Sequence, residues 1–292
     1  MAMKHIGVIG CGTMGGGIAQ VAAAAGCSVT VLEVEDRFLK SGLAKIDKYL
    51  AKSVEKAKMT PQEKDAILKR IKGTLDIKDL ADCEMVIEAA VEDLSAKRDL
   101  FKKLDETCRK DAILATNTSS LTVTDIAAAT ERRDKVLGLH FFNPVARMQL
   151  VEVVRTINTS DEAFEKAWAF AKDIGKVPIA AKDNTGFIVN LLLIPYLLDA
   201  IRAFEQGIAS AEDIDNGMKH GCAHPMGPLA LSDLIGLDVV HHIAGIMFEE
   251  YKEKRYAAPP LLKRMVTAGY LGMKSGRGFY DYSGETPKPC KL

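Results

Sequence analysis

The feature that most constrains the fold is a glycine-rich turn between a short apolar strand and a helix near the start of the sequence. The strand is predicted at residues 5–9, and residues 18–24 have helix-forming composition. The turn has the glycine spacing of a dinucleotide-binding loop, and its residues are Gly10, Cys11, Gly12, Thr13, Met14 and Gly15. In such a loop the glycines permit a tight turn, close approach of backbone N–H groups to a pyrophosphate, and close packing of helix on strand. The turn therefore predicts a Rossmann-type doubly wound, mostly parallel sheet.

The cofactor is predicted from the end of the second strand. Residues 28–32 read as an apolar strand, and the acidic residue Glu33 follows it directly. A carboxylate at this place accepts hydrogen bonds from the adenosine ribose and repels a 2′-phosphate. No arginine follows at once, since the nearest is Arg37. The sequence therefore predicts NAD rather than NADP.

Charge and cysteine content limit the other partners. Basic and acidic residues both number 39, so no overall charge attracts nucleic acid or an anionic membrane. The six cysteines are scattered, without a CxxC pair or a metal-like cluster with histidine, which predicts reduced thiols in the cytoplasm and no metal site. The most apolar run, residues 187–198, is short for a membrane span and contains Asn190 and Pro195, so it is predicted to be a buried helix.

The domain organisation is predicted from the alternation of elements. Strands and helices alternate up to about residue 184, and residues 36–72 within this part are predicted to be helical, with Gly73 ending the last helix. Beyond residue 184 the pattern predicts helices alone. We therefore expect an NAD-binding domain at residues 1–184 that carries the catalytic histidine, and a helical domain at residues 185–292 that covers substrate and forms a homodimer.

A histidine and a carboxylate on neighbouring predicted strands indicate where the chemistry occurs. His140 ends one apolar strand, and Glu152 lies among valines in the next. A buried carboxylate is costly without a partner, and His140 is the nearest candidate. Just upstream, residues 116–120 end another strand in small polar groups, including Ser119. Ligands bind at such strand ends in open α/β sheets.

With these motifs in place, the sequence resembles the bacterial short-chain 3-hydroxyacyl-CoA dehydrogenases of the 3-hydroxybutyryl-CoA dehydrogenase type, and the resemblance runs essentially from end to end. The motifs that carry it are GCGTMG at residues 10–15, NTSSL at 117–121, GLHFFNP at 138–144, LVEV at 150–153, DNTGFIVN at 183–190 and HPMGP at 224–228. The family implies oxidation of a 3-hydroxyacyl-CoA to a 3-ketoacyl-CoA, or the reverse, with NAD.

The resemblance also implies roles for individual residues. His140 would be the general base and Glu152 its partner, while Ser119 would touch cofactor and substrate, and Asn190 would position the substrate. The cofactor contacts implied are the loop residues Gly10, Gly12, Thr13, Met14 and Gly15, together with Glu33, Glu92, Lys97, Ser119, Asn143 and Lys274. Lys56 would meet the CoA phosphates. The sequence departs from the family at Leu191, where an arginine is usual.

Several alternatives stay open at this level. From composition alone a lysine such as Lys56 on an amphipathic helix is usually part of a solvated face, and the Asn190 amide could bond a backbone carbonyl instead of substrate. The runner-up function is a dehydrogenase of a free small β-hydroxy acid, whose members are expected to carry a lysine base on the first helix of the second domain. A third is a non-catalytic relative, against which the joint presence of Ser119, His140, Glu152 and Asn190 argues.

Overall fold

A computed structural model describes residues 3–290 of the protein. The chain divides into two compact units, of which the first ends at Phe187 and the second begins at Ile188. Among the described residues no single helix is long and apolar enough to cross a membrane. The helix pair Pro228–Ile235 and Leu237–Tyr251, bent by 94°, passes that test of length and composition only when taken together.

The first unit is built on one twisted sheet, which within residues 3–290 has eight strands in the order β3-β2-β1-β4-β5-β6-β7-β8. The strands are β1 His5–Ile9, β2 Ser28–Leu32, β3 Ile71–Thr74, β4 Met85–Glu88, β5 Ile113–Thr116, β6 Val136–Phe141, β7 Leu150–Arg155 and β8 Val177–Lys182. Neighbouring strands are parallel except for β6 and β7, which are antiparallel. The sheet order reverses direction between β1 and β4, which makes this the topological switch point.

Helices cover both faces of this sheet. They are α1 Thr13–Ala24, α2 Asp36–Glu55, α3 Pro61–Lys69, α4 Leu94–Thr107, α5 Val123–Ala127 and α6 Asp161–Asp173. Successive strand residues face opposite sides, so Met85 and Ile87 enter one apolar core while Val86 enters the other. Strands β4, β5 and β6 are buried along their whole length, which explains why they read as continuous apolar runs rather than alternating ones.

The prediction of helix through residue 72 was wrong at its end. Helix α3 ends at Lys69, and Ile71–Thr74 forms the edge strand β3, which pairs in parallel with β2. The reason is tertiary, because the pairing partners Val29–Leu32 lie far away in sequence. Gly73 is not a helix terminator but a packing site, since a Cβ there would lie 2.9 Å from Leu39 Cδ2.

The second unit is mainly helical, as the sequence predicted. Its helices are α7 Val189–Glu205, α8 Ala211–Gly221, α9 Pro228–Ile235, α10 Leu237–Tyr251 and α11 Pro260–Thr267. They pack around their own apolar core. A small antiparallel ladder that the sequence did not predict joins β9 Tyr280–Asp281 to β10 Lys288–Pro289.

A buried carboxylate fixes this ladder to α9. Asp233 accepts hydrogen bonds from the backbone N–H groups of Phe279 and Tyr280, both at 3.0 Å, and from the Tyr282 hydroxyl. Burial nevertheless dominates and raises the pKa of the Asp233 carboxyl to about 6. The position of the segment near residue 280 therefore depends on the Asp233 side chain, and sequence periodicity does not reveal this role.

Candidate active site

The glycine-rich turn has the shape of an anion-binding loop. Gly10 has φ +90°, a backbone conformation that favours glycine. A Cβ on Gly15 would lie 2.0 Å from the Gly10 carbonyl oxygen, so α1 packs against the turn as closely as only glycine allows. At Gly12, by contrast, an added Cβ would meet no heavy atom within 4 Å in the described part of the chain. The loop is thus closely packed between Gly10 and Gly15, and it leaves open space at Gly12.

The amino terminus of α1 is suited to a pyrophosphate. The helix begins at Thr13 with Gly12 as its N-cap, which supplies no capping side chain, and the first turn carries no acidic residue. Backbone N–H groups of a helix start that lack a side-chain partner attract anions through both hydrogen bonding and the helix dipole. The arrangement therefore fits the pyrophosphate of a dinucleotide, which Gly12 and the start of α1 would hold.

Glu33 borders this loop from the end of β2. Its carboxylate accepts hydrogen bonds from Cys11 N at 2.6 Å and from Val34 N at 3.1 Å, so its position is fixed by backbone. Burial, reinforced by the Glu33 charge, raises the pKa of the Cys11 thiol to about 11. Cys11 is therefore an inert packing residue at neutral pH, and Glu33 contributes the negative charge at this end of the loop.

A buried ionic network lies on the other side of the switch point, at the carboxyl ends of β4 and β5. The Lys97 ammonium is 2.6 Å from Glu88 Oε1 and 3.3 Å from Glu92 Oε2. Glu88 also accepts from Ala90 N at 2.7 Å and from the Thr116 hydroxyl at 2.7 Å. Lys97 and Glu88 are at most 2% exposed, whereas the Glu92 side chain is 27% exposed.

Glu92 connects this network to the polar loop that contains Ser119. Its Oε1 accepts hydrogen bonds from the Thr118 hydroxyl, from Ser119 N at 3.2 Å and from the Ser120 hydroxyl at 3.1 Å. Burial alone would raise the pKa of the Glu92 carboxyl, but the Lys97 charge and these hydrogen bonds hold it below its usual value. Glu92 is therefore ionised at neutral pH and fixes the backbone at Ser119.

His140 and Glu152 form a buried pair at the same edge of the sheet. They are direct partners in the antiparallel register of β6 and β7, and His140 Nδ1 lies 2.6 Å from Glu152 Oε2. The two side chains are 7% and 0% exposed. Phe142 and Phe187 lie against the imidazole, with ring centroids 4.5 and 5.5 Å away. With Nδ1 donating to Glu152, Nε2 is the nitrogen left to exchange a proton.

The polar loop and the histidine strand are joined directly. The Asn117 side chain accepts a hydrogen bond from Phe141 N at 2.9 Å, next to His140. Because β5 and β6 are neighbouring parallel strands, the Ser119 loop and His140 both lie at the carboxyl edge of the sheet. The first unit therefore brings together the glycine loop, Glu33, Glu92, Ser119 and His140 at one edge, as the sequence predicted for parallel strands.

The remaining predicted residues are placed separately. Asn143 is exposed just after β6, and Lys56 is exposed at the carboxyl end of α2. Asn190 is buried in the first turn of α7, in the second unit. Lys274 is also in the second unit, where its ammonium lies 2.5 Å from Asp238 Oδ1. Within residues 3–290, no three His, Cys, Asp or Glu side chains are placed so that they could bind one metal ion.

Sequence reasoning missed Glu88 as a member of the site. A signal existed, because Glu88 ends an apolar strand and a carboxylate there is costly to bury unless it is paired. The sequence did not show that Lys97, nine positions later and one turn into α4, would supply the pairing charge. Lys97 was predicted to contact NAD, and this stays a prediction; in the structure its ammonium lies between the Glu88 and Glu92 carboxylates.

A dinucleotide loop at the switch point, with a histidine and carboxylate pair at the same edge of the sheet, defines a Rossmann-type NAD-dependent dehydrogenase. Comparison with known families specifies it further. The family model described as "3-hydroxyacyl-CoA dehydrogenase, NAD binding domain" matches residues 5–184, and the one described as "3-hydroxyacyl-CoA dehydrogenase, C-terminal domain" matches residues 186–282. The chain belongs to the 3-hydroxyacyl-CoA dehydrogenase family.

Individual relatives agree with this assignment. The chain is 50% identical to a 3-hydroxybutyryl-CoA dehydrogenase of Mycobacterium tuberculosis over 283 residues, which cover 96% of this chain and 99% of that relative. The crystal structure of FadB2 from M. tuberculosis superposes with a TM-score of 0.94 at 49% identity, covering 97% of this chain and 100% of that one. The (S)-3-hydroxybutyryl-CoA dehydrogenase PaaH1 of Ralstonia eutropha gives a TM-score of 0.92 at 42% identity, with coverage of 97% and 100%.

These findings confirm four of the predictions. The family, the fold class, NAD as the cofactor and the assignment as an NAD-dependent dehydrogenase all hold. The roles given to individual residues stay predictions.

Proposed function

We propose that the protein interconverts a short-chain 3-hydroxyacyl-CoA, of which 3-hydroxybutyryl-CoA is the foremost candidate, and the corresponding 3-ketoacyl-CoA. The observation that carries the proposal is the 2.6 Å contact between His140 Nδ1 and Glu152 Oε2 at the carboxyl edge of the sheet. It is supported by relatives named 3-hydroxybutyryl-CoA dehydrogenase at 44–50% identity. On this proposal the protein serves fatty acid and butanoate metabolism.

His140 is the proposed proton carrier. Oxidation of a secondary alcohol requires loss of the hydroxyl proton, and the neutral Nε2 of His140 accepts it. Glu152 holds the proton on Nδ1 beforehand and stabilises the imidazolium afterwards, as a carboxylate does in the serine-protease triad. In the reverse direction His140 returns the proton to the forming hydroxyl.

The other proposed roles concern the cofactor and the substrate carbonyl. A bound NAD would supply the hydride acceptor for oxidation of the hydroxyl-bearing carbon, and NADH would supply the hydride for the reverse reaction. The glycine loop and Glu33 hold the adenosine and pyrophosphate half of the cofactor. Ser119, whose backbone Glu92 fixes, donates a hydrogen bond to the ketone oxygen, and Asn190 of the second unit contributes a second one. Lys56 is proposed to meet the CoA phosphates.

One assay tests the reaction against its alternatives. NADH oxidation is measured with acetoacetyl-CoA and, separately, with free acetoacetate at matched concentrations. Turnover with acetoacetyl-CoA, and at least about a hundredfold lower kcat/KM with acetoacetate, is the expected result, because the CoA portion supplies binding energy used at the reacting carbon. Preference for free acetoacetate would support a β-hydroxy acid dehydrogenase, and turnover of neither would support a non-catalytic relative.

Cofactor preference gives a second test. We expect kcat/KM to be at least about tenfold higher with NADH than with NADPH, because the 2′-phosphate would approach the fixed Glu33 carboxylate. Glu33→Gln should narrow the difference by raising the value for NADPH. Glu35→Gln is the matched control, since Glu35 is exposed two residues further on and pairs with Arg37. Equal use of both cofactors by the wild-type protein would contradict the role of Glu33.

The domain roles are proposed on the same footing. The first domain, residues 1–184, would bind NAD, and residues 185–292 would cover substrate and form a homodimer. Leu192, Leu234 and Met273 support this contact, because each is an apolar side chain of the second unit that is at least 46% exposed. Light scattering should then give about twice the chain mass of 31.7 kDa at micromolar concentration, and the mass of one chain would refute the dimer. The scattered cysteines support a cytoplasmic location.

A further inference from the structure

We infer that Glu88 is a specificity-determining residue for the redox state of the cofactor: it gives the buried Glu88, Lys97 and Glu92 network a net negative charge that favours binding of NAD⁺ over NADH. The inference rests on the proposed position of the cofactor. It concerns a residue that does not itself contact the ligand.

The charge imbalance follows from the contacts. One ammonium, Lys97, lies between two carboxylates, at 2.6 Å from Glu88 and 3.3 Å from Glu92. In the described part of the chain, Glu88 and Glu92 form no salt bridge with an arginine or with a lysine other than Lys97. The remaining partners of both carboxylates are neutral N–H and O–H groups. The network therefore keeps one uncompensated negative charge, and burial limits its screening by salt.

The network lies on the nicotinamide side of the fold. In a doubly wound sheet the dinucleotide spans the switch point, which here lies between β1 and β4. Glu33 at the end of β2 marks the adenosine side, so the other half of the cofactor extends over the ends of β4, β5 and β6. Glu92 and Ser119 occupy those ends, and His140, the proposed proton carrier, lies beside them.

The consequence for binding is a difference between the two cofactor forms. NAD⁺ carries a positive charge on its nicotinamide ring that NADH lacks, while the pyrophosphate is common to both. A negative network beside the ring therefore stabilises bound NAD⁺ relative to bound NADH, and effects on the phosphates cancel in the ratio of the two dissociation constants. This preference draws the bound equilibrium toward NAD⁺ and the hydroxyacyl product.

Glu88 allows this charge to be changed without touching the cofactor. Its side chain is fully buried, so substitution cannot remove a direct ligand contact. Glu88→Gln retains an oxygen that can accept from Lys97 or Thr116, while it makes the network neutral. A unit charge acting in a partly solvated site changes a dissociation constant by roughly three- to tenfold.

The experiment is isothermal titration calorimetry of the full-length protein with NAD⁺ and, separately, with NADH. In Glu88→Gln we expect the ratio of the NADH to the NAD⁺ dissociation constant to fall by about three- to tenfold from the wild-type value. Thr116→Val removes a hydrogen bond to the same carboxylate without altering charge, so it should leave the ratio at the wild-type value. Glu106→Gln makes the same substitution on the exposed face of α4 and should also leave it unchanged.

The outcomes separate charge from structure. A Glu88→Gln ratio within twofold of wild type, or an equal shift in Thr116→Val, would overturn the inference. If Glu88→Gln does not fold, the partly exposed Glu92→Gln makes the same charge change, and its ratio must fall in the same direction for the inference to stand. These titrations contain no acyl-CoA, so they decide the inference even if acetoacetyl-CoA proves not to be the substrate.

Discussion

His140→Gln is expected to lower kcat for reduction of acetoacetyl-CoA by about 10²- to 10⁴-fold, the usual contribution of a general acid or base. Glutamine has no proton to give or take near neutral pH. It can still donate an N–H to Glu152, so the buried carboxylate is not left without a partner, which would itself cost stability. Loss of turnover would then report on proton transfer rather than on unfolding.

Two further measurements make this result specific. The dissociation constant of NADH, measured by fluorescence titration, should stay close to the wild-type value. The glycine loop and Glu33 are separated from β6, which carries His140, by the strands β4 and β5. His5→Gln is the matched control, since His5 is exposed at the opposite end of the sheet. If His140→Gln retained most of the wild-type kcat, another group would carry the proton.

The fold was predictable where the signal was local. Residues close together in the sequence carry each of the signals that were used. These signals are the glycine turn, the apolar strands that end in polar residues, and the loss of strand pattern after residue 184. Strand β3 was not predictable in this way, because Ile71–Thr74 becomes a strand only by pairing with β2, some forty residues earlier. The ladder near residue 280 was missed for a similar reason: two-residue strands have no periodicity, and Asp233 fixes this segment from α9.

The candidate site was predictable where an unpaired carboxylate would be costly to bury, because such a residue needs a partner. A carboxylate among valines required a partner, and Glu152 does pair with His140. The same reasoning applied to Glu88, yet its partner Lys97 comes from a helix whose direction of approach the sequence does not encode. Resemblance to a family gave Lys97 a cofactor role without revealing that two carboxylates hold its ammonium. The local sequence pattern predicts where polar groups lie, but only the structure shows which charged groups pair with one another.

Glu152→Gln should also reduce kcat strongly, by about 10²-fold or more, although it changes neither the size nor the shape of the side chain. Glutamine can present its N–H₂ group to His140 Nδ1, which favours the tautomer that carries its proton on Nε2. That tautomer cannot accept the substrate hydroxyl proton. Where glutamine presents its oxygen instead, the correct tautomer forms, but no negative charge stabilises the imidazolium. Both effects lower the rate of proton transfer, as the equivalent substitution does in serine proteases.

Glu152→Asp distinguishes charge from shape at this position. It keeps the carboxylate but shortens the side chain by one methylene, so it should retain more activity than Glu152→Gln if the charge matters most. The measurement is kcat for reduction of acetoacetyl-CoA and for oxidation of 3-hydroxybutyryl-CoA, together with thermal unfolding, because Glu152 is fully buried. Wild-type kcat in Glu152→Gln would make the carboxylate a structural group. Equal losses in both variants, at unchanged stability, would mean that the rate depends on the 2.6 Å geometry of the pair as much as on its charge.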